Sequence, residues 1–281
     1  MRAGRPSRTA LGAAAHRAAH QVLEGGRVFS DPLAVRILGT DAEAAISKAG
    51  LDPTRRPLRL FIAVRSRFAE DALAIAFAEG VRQLVVLGAG LDTYACRSPL
   101  GEDLRIFEVD HPATQEWKRE RLAAAAIPVP RSLTFVPVDF EEETLARALP
   151  PAGFDPDAPA FFTWLGVVPY LTEEAVFATL AFIGGLPGGS HVVFDYGNPP
   201  LPGEPGDRYA AFRDELSRRV EAAGETFRSH FETASLHVEL RVRGFRRIED
   251  LGPSAIRDRF FPGGSGAPPD RGGHVVHAST R

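Results

Sequence analysis

The apolar run Leu84-Val85-Val86-Leu87 empties directly into Gly88-Ala89-Gly90-Leu91-Asp92-Thr93-Tyr94, and this junction restricts the fold more than any other stretch of the chain. A buried strand ending in a glycine turn is where α/β folds hold a nucleotide. Gly88 and Gly90 lack the Cβ atoms that would keep a ligand's polar groups off the main chain, and both accept positive φ without strain. A dinucleotide fingerprint would carry a third glycine at position 93, where this chain has Thr93. That departure weakens the case for a pyrophosphate pressed against a helix start, and with it the case for NAD or FAD.

A second strand, Leu104 to Val109, runs into Asp110, and a third, Leu133 to Val138, runs into Asp139 and Phe140. A carboxylate at the tip of the second strand is placed to accept hydrogen bonds from both ribose hydroxyls, a geometry shared by dinucleotide enzymes and S-adenosylmethionine enzymes. The alternative is that Asp110 caps the helix opening at Pro112. Asp139 is placed to accept from an adenine amino group, with Phe140 as an apolar contact, or to cap a helix beginning near Glu141. Glu141, Glu142 and Glu143 read as the acidic first turn of that helix.

The order VVLGAGLDT, FEVDHP with Lys118 downstream, FVPVDF and WLGVVPYLT resembles the bacterial S-adenosylmethionine-dependent methyltransferases related to leucine carboxyl methyltransferase. The likeness extends to Val28-Phe29-Ser30-Asp31-Pro32-Leu33-Ala34, to Val64-Arg65-Ser66-Arg67-Phe68 and to Glu249-Asp250-Leu251-Gly252-Pro253, so it covers most of the chain. It implies a Rossmann-like class I methyltransferase fold with S-adenosylmethionine as cofactor. By this resemblance Arg65 pairs with the cofactor's methionine carboxylate, Gly88, Ala89 and Gly90 form its turn, Asp110 holds the ribose, and Asp139 with Phe140 holds the adenine. A guanidinium suits the first role because it grips a carboxylate through parallel charge-assisted hydrogen bonds. Ser30 stands where the eukaryotic protein-methylating members carry a lysine, and Leu165 where they carry a glutamate beside the cofactor. A phosphatase tail is therefore not the expected acceptor.

Length and patterning favour a single methyltransferase domain over residues 1–281: a helical cap over 1–56, a cofactor-binding core over 57–196, a lid-like insertion over 197–243 and C-terminal strands over 244–281. Helices are expected over Thr9 to Glu24, Asp31 to Leu38, Asp41 to Ala49, Leu58 to Glu79 and Asp207 to Ala223. Strands at Gln83 to Leu87, Leu104 to Val109, Leu133 to Val138, Ala160 to Leu165 and His191 to Asp195 alternate with helical segments, and Phe245 to Leu251 and His274 to Ala278 follow as an antiparallel pair. The expectation is a seven-stranded, mostly parallel sheet with an antiparallel last strand. Gly197 to Gly206 is too rich in proline and glycine for regular structure and stands where a lid over the crevice would attach.

A net charge of -3 gives no basic excess to suggest nucleic acid, and the single Cys96 excludes an intramolecular disulfide and a cysteine-rich metal site. Cys96 reads as a small packed residue rather than a nucleophile. Arg2, Arg5 and Arg8 precede a stretch interrupted by His16, Arg17 and His20, so neither a secretory segment nor a membrane span is read there, and a bacterial cytoplasmic enzyme is expected. No spacing of His, Cys or acids suggests a metal.

Methyl transfer from a sulfonium is an in-line displacement in which alignment does most of the work. A carboxylate acceptor needs no general base, whereas a phenol or alcohol benefits from one. His111, Tyr170 and Tyr196 are the candidate catalytic side chains, with Asp195 a further possible base. The reading that follows is an O-methyltransferase for a small-molecule carboxylate or hydroxyl, in natural-product metabolism. Two alternatives stay open: an NAD(P)-dependent oxidoreductase, for which a Tyr-x-x-x-Lys pair is missing, and a non-catalytic cofactor-binding protein.

Overall fold

The computed structural model describes residues 8–140, 142–199, 208–222, 224–263 and 271–281. The expected strands form one seven-stranded sheet in the order β3-β2-β1-β4-β5-β7-β6. Strands β1 (Gln83–Leu87), β2 (Arg105–Asp110), β3 (Leu133–Pro137), β4 (Ala160–Trp164) and β5 (Ser190–Gly197) are parallel. Strand β7 (Gly273–Ser279) lies between β5 and β6 (Arg247–Leu251) and is antiparallel to both. The chain order reverses between β1 and β4, so the crevice of this fold opens at the carboxyl ends of those two strands.

The central strands are rich in apolar residues because both faces are covered. Val85, Leu87, Phe107, Val109, Phe162 and Trp164 pack on one side with Leu180 and Leu240. Leu84, Val86, Ile106, Phe161 and Val193 pack on the other with Val64, Phe68 and Leu73. The last three belong to helix α3 (Arg56–Ala78), which enters with Pro57 in its first turn and leads into β1. Two other helices frame the crevice end of the sheet. They are α5 (Pro112–Ala124), with His111 as N-cap, and α7 (Glu173–Gly184), whose N-cap Thr172 accepts from the Ala175 N–H at 3.3 Å.

The N-terminal helices α1 (Arg8–Leu23) and α2 (Ala42–Gly50) form the cap, which has its own apolar cluster of Ala14, Ala18, Leu33, Ile37 and Leu38 against Leu91, Leu122 and Ile127. A continuous helix over Asp31 to Leu38 does not form. Turns carry the chain to a 3-10 segment at Arg36–Asp41, which breaks at Gly39 with φ +58. The helix expected to open at the three glutamates begins instead at Leu145, in the short α6 (Leu145–Ala148). Glu142 and Glu143 form a turn whose N–H groups donate to the backbone carbonyl of Asp139 at 2.9 and 2.8 Å, and Glu141 lies outside the described residues.

In the insertion, α8 (Arg208–Ala222) matches expectation, while α9 (Thr233–Val242), and α10 (Pro253–Phe260) between β6 and β7, are additional helices. Most of the Pro/Gly segment expected to act as a lid, residues 200–207, lies outside the described residues, as do Arg2 and Arg5. Among the described residues no helix is long and apolar enough to cross a membrane.

Candidate functional site

The glycine turn closes against the tip of β2. Gly88 and Gly90 adopt φ of +65 and +48, and the N–H groups of Gly88 and Ala89 both donate to the Val109 carbonyl, at 2.9 and 3.2 Å. A Cβ at Gly88 would come within 2.4 Å of Val167 Cγ2, and one at Gly90 within 2.9 Å of Ala10 Cβ on α1. The first side chain would collide with the loop after β4 and the second with the cap.

Asp110 ends β2 directly beneath this turn. Its Oδ2 accepts from the Gly90 N–H at 2.6 Å and its Oδ1 from the His111 N–H at 2.7 Å. Burial raises the proton affinity of this carboxyl and the two backbone donors oppose the rise. Each oxygen can accept again, so two hydroxyl groups can be received without displacing either amide.

His111 serves as the N-cap of α5, with Nδ1 accepting from the Ala113 N–H at 3.2 Å and Nε2 at 3.6 Å from Asp139 Oδ2. The imidazole therefore ties the tips of β2 and β3 together, and its Nδ1 lone pair is committed. Asp139 follows β3, and Phe140 beside it is 54% exposed. Leu165, just past β4, lines a narrow crevice with Ser66, Glu70, Asp92, Tyr94 and Thr163.

Arg65 is buried on α3, and its Nη1 donates to Asp195 Oδ2 at 2.8 Å. The other carboxylate oxygen of Asp195 accepts from the Gly166 N–H at 2.6 Å. Asp195, a possible base from its place on β5, thus holds a guanidinium and a backbone amide. Gly166 has φ +73, and the Arg65 guanidinium lies 2.6 Å from where its Cβ would be.

The two candidate tyrosines are separated. Tyr170 packs against Phe227 with ring centroids 5.3 Å apart, and its hydroxyl is pushed up to about 12, first by burial and then by Glu225. Tyr196 instead lies in a buried polar cluster under the C-terminal strands. Its hydroxyl donates to Asp250 Oδ2 at 2.7 Å, and that carboxylate also contacts His237 Nε2 and His274 Nδ1, each at 2.8 Å. Burial first, then the Asp250 charge, drives the Tyr196 phenol well above its ordinary value. Cys96 is partly buried and its thiol is pushed up to about 11, chiefly by burial, which makes it a poor nucleophile.

One group of residues at the site was not identified as such from the sequence. The Thr93 hydroxyl donates to Asp31 Oδ2 at 2.8 Å and receives Arg97 Nε at 3.0 Å, while Arg97 also pairs with Glu70 on α3 at 2.9 Å. Arg17 on α1 lies 3.5 Å from the same Asp31 carboxylate and donates to the Leu91 carbonyl. This charged network fastens cap, glycine turn and α3 to one another. The signal available in the sequence was Asp31 itself, an acid at the head of an otherwise apolar Pro-Leu-Ala segment. A second such pair is Lys118 on α5, whose Nζ donates to Glu108 Oε2 at 2.5 Å, both side chains being 1% exposed.

Residues 10–184 match the family model described as leucine carboxyl methyltransferase. A Bacillus subtilis protein provisionally named S-adenosyl-L-methionine-dependent methyltransferase YktD is 35% identical over 199 residues, which is 70% of this chain and 64% of that protein. The aligned region therefore spans a little under two thirds of that relative. A Mycolicibacterium gilvum protein with the same provisional activity name is 31% identical over 215 residues, 72% of this chain and 67% of that protein. Among solved structures, that of a provisionally named methyltransferase from Thermobifida fusca YX superposes with a TM-score of 0.55 at 18% identity, covering 99% of this chain and 96% of the other.

Proposed function

Since the chain belongs to the leucine carboxyl methyltransferase family, we propose that it transfers a methyl group from S-adenosylmethionine to an oxygen of a small-molecule carboxylate or hydroxyl. The observation that carries this reading is the Asp110 carboxylate, pinned by the Gly90 and His111 amides at the mouth of a glycine turn whose two positive-φ residues leave no room for side chains.

The residues present suit the cofactor chemically. Asp110 offers acceptors for the two ribose hydroxyls, Arg65 offers a cation for the methionine carboxylate, and Asp139 with exposed Phe140 offers an acceptor and an apolar face for the adenine. Gly88 and Ala89 belong to the turn above Asp110, and Leu165 follows β4. When bound, the cofactor supplies a methyl group already activated on a sulfonium. The protein's part is to orient and to exclude water. Asp195 fixes Arg65, His111 holds the β2 and β3 tips at one spacing, and the cap closes over the turn through Ala10 and Arg17.

A carboxylate acceptor arrives ionised and needs no proton removed, which agrees with a site where His111, Asp195 and Tyr196 are each held by other groups. We assign the acceptor to bacterial natural-product metabolism in the cytoplasm. Incubation with methyl-labelled cofactor and a bacterial metabolite extract, followed by mass spectrometry, is expected to reveal a labelled ester or ether. Calorimetry that detects no binding of S-adenosylmethionine or S-adenosylhomocysteine would remove the proposal.

A further inference from the structure

A second cavity, of about 230 Å3, lies at the amino ends of β4 and β5, the opposite end of the sheet from the glycine turn. Glu79, Gly189, His191, Ser279, Arg247 and Arg281 are among the residues that line it. Glu79 caps the end of α3, Arg247 opens β6 and Arg281 follows β7.

The charged groups of this cavity surround one buried ring. His191 is 8% exposed, and its Nδ1 lies 3.1 Å from His277 Nε2, so the two imidazoles share one hydrogen bond. The other nitrogen, Nε2, has no partner among the described residues. Phe161 stacks on the same ring with centroids 5.8 Å apart. Burial holds the His191 imidazole below its ordinary value; the Glu79 charge opposes that shift, and the Arg281 and Arg247 charges add to it. At neutral pH the ring is therefore uncharged and carries a single N–H.

The protein leaves the three formal charges around that ring unmatched. Among the described residues, Glu79, Arg247 and Arg281 form no ion pair, although all three line the cavity. Arg281 is nonetheless placed: its Nη2 donates to the Gly188 carbonyl, and Gly189, at φ +80, leaves no room for a Cβ beside Arg281 Nε. Positive and negative groups that share a hollow without touching each other suit a ligand bearing both signs. A plain anion would meet the arginines but be repelled by Glu79, and a plain cation the reverse.

We propose that this cavity binds a free α-amino acid, with its carboxylate on Arg247, Arg281 and the His191 Nε2–H and its ammonium on Glu79. In this arrangement His277 Nε2–H donates to His191 Nδ1, which keeps the His191 proton on the nitrogen that meets the ligand. The site is separate from the methyl-transfer crevice and asks for no chemistry on the bound molecule.

The full chain is screened by saturation-transfer NMR against the proteinogenic L-amino acids at millimolar concentration. The tightest binder is then titrated by calorimetry into the wild type, Arg247→Gln and Glu79→Gln. Both side chains are exposed and unpaired, so both variants are expected to fold. Each is expected to weaken the amino acid about tenfold or more, the scale of a lost hydrogen bond between charged groups. Acetate and methylamine, which carry one sign each, are expected to bind the wild type at least about tenfold more weakly than the amino acid. Affinity for S-adenosylhomocysteine is expected to stay within about twofold in both variants, because the two sites are at opposite ends of the sheet.

A wild type that binds no amino acid, or an amino acid bound equally by all three proteins, overturns the assignment. Acetate that binds as tightly as the amino acid, and more tightly still to Glu79→Gln, would reveal a simple anion site and overturns it as well.

Discussion

The hydroxyl of Thr93 donates to the carboxylate of Asp31 across a sequence separation of 62 residues, at 2.8 Å and out of contact with solvent. Thr93 occupies the position at which a dinucleotide-binding turn would carry its third glycine. In place of a bare backbone, the position supplies a side chain that bolts the N-terminal cap onto the turn. The substitution that argues against NAD thus has a positive role of its own.

Replacing Thr93 by valine keeps the shape but leaves the buried Asp31 carboxylate short of a donor, which costs about 1–3 kcal/mol. For a chain of this size, the thermal midpoint is expected to fall by roughly 2–8 °C, with Thr93→Ser remaining near wild type. Differential scanning calorimetry of the two variants checks this, and equal midpoints would show the bond to be unimportant.

Asp110→Ala is expected to weaken S-adenosylhomocysteine binding by about tenfold or more, the scale of lost hydrogen bonds to a charged acceptor. Part of the loss comes through the turn, because Gly90 loses its partner along with the ribose. An unchanged dissociation constant would mean that the sugar lies elsewhere.

Gly166→Ala is expected to destabilise the protein by about 1–3 kcal/mol and to weaken cofactor binding as well, since a methyl there forces a left-handed backbone strain and pushes at the Arg65 guanidinium. Arg65 can give way only by loosening its hold on Asp195. Urea unfolding measures the first effect and calorimetry the second; loss of stability with intact affinity would separate Arg65 from the ligand.

Lys118→Met strands Glu108 as an uncompensated buried charge, for which a cost of about 3–5 kcal/mol is expected. The double variant Lys118→Met with Glu108→Leu should recover most of that loss, since removing both partners removes the unpaired charge. A double variant as unstable as the single one would contradict the pairing.

The acid side of the stability profile is set in part by buried histidines. His277 sits 3.1 Å from His191, and burial brings it down to about 4 from an ordinary 6.5. A histidine is neutral above its pKa, so between these values the unfolded chain binds the proton that the folded protein refuses. The contribution of this histidine is therefore fully present above about pH 6.5 and is lost as pH falls toward about 4. His16 acts in the same direction. Urea midpoints measured from pH 7 to pH 4.5 should fall steadily, and His277→Gln should make that slope shallower.

The sheet was legible because its signals are local: Val85 to Leu87, Ile106 to Val109 and Val192 to Phe194 are apolar runs closed by Gly or Asp. Gly88, Gly90 and Asp110 were legible for the same reason, since a turn and a strand tip declare themselves within a few residues. Asp31 and Thr93 could not be paired from sequence, because their meeting depends on how the cap folds back over the sheet. The partner of Arg65 was hidden likewise, with Asp195 lying 130 positions away. The helix expected at Glu141 moved downstream because the Asp139 carbonyl captures the Glu142 and Glu143 amides in a turn. Helix α9 escaped notice because Thr233, Val238 and Val242 are residues that local propensity assigns to strands.

Strand β7 fills the slot between β5 and β6, pairing His191 with Ser279 and Leu251 with Val275. During synthesis, β5 must wait with one edge open until the polypeptide is some eighty residues longer, and β6 has no neighbour at all before that moment. The nascent protein thus carries a templating edge on the ribosome that only its own late-made segment can seal, which makes this interval the natural point of entry for chaperones or for misassembly between chains.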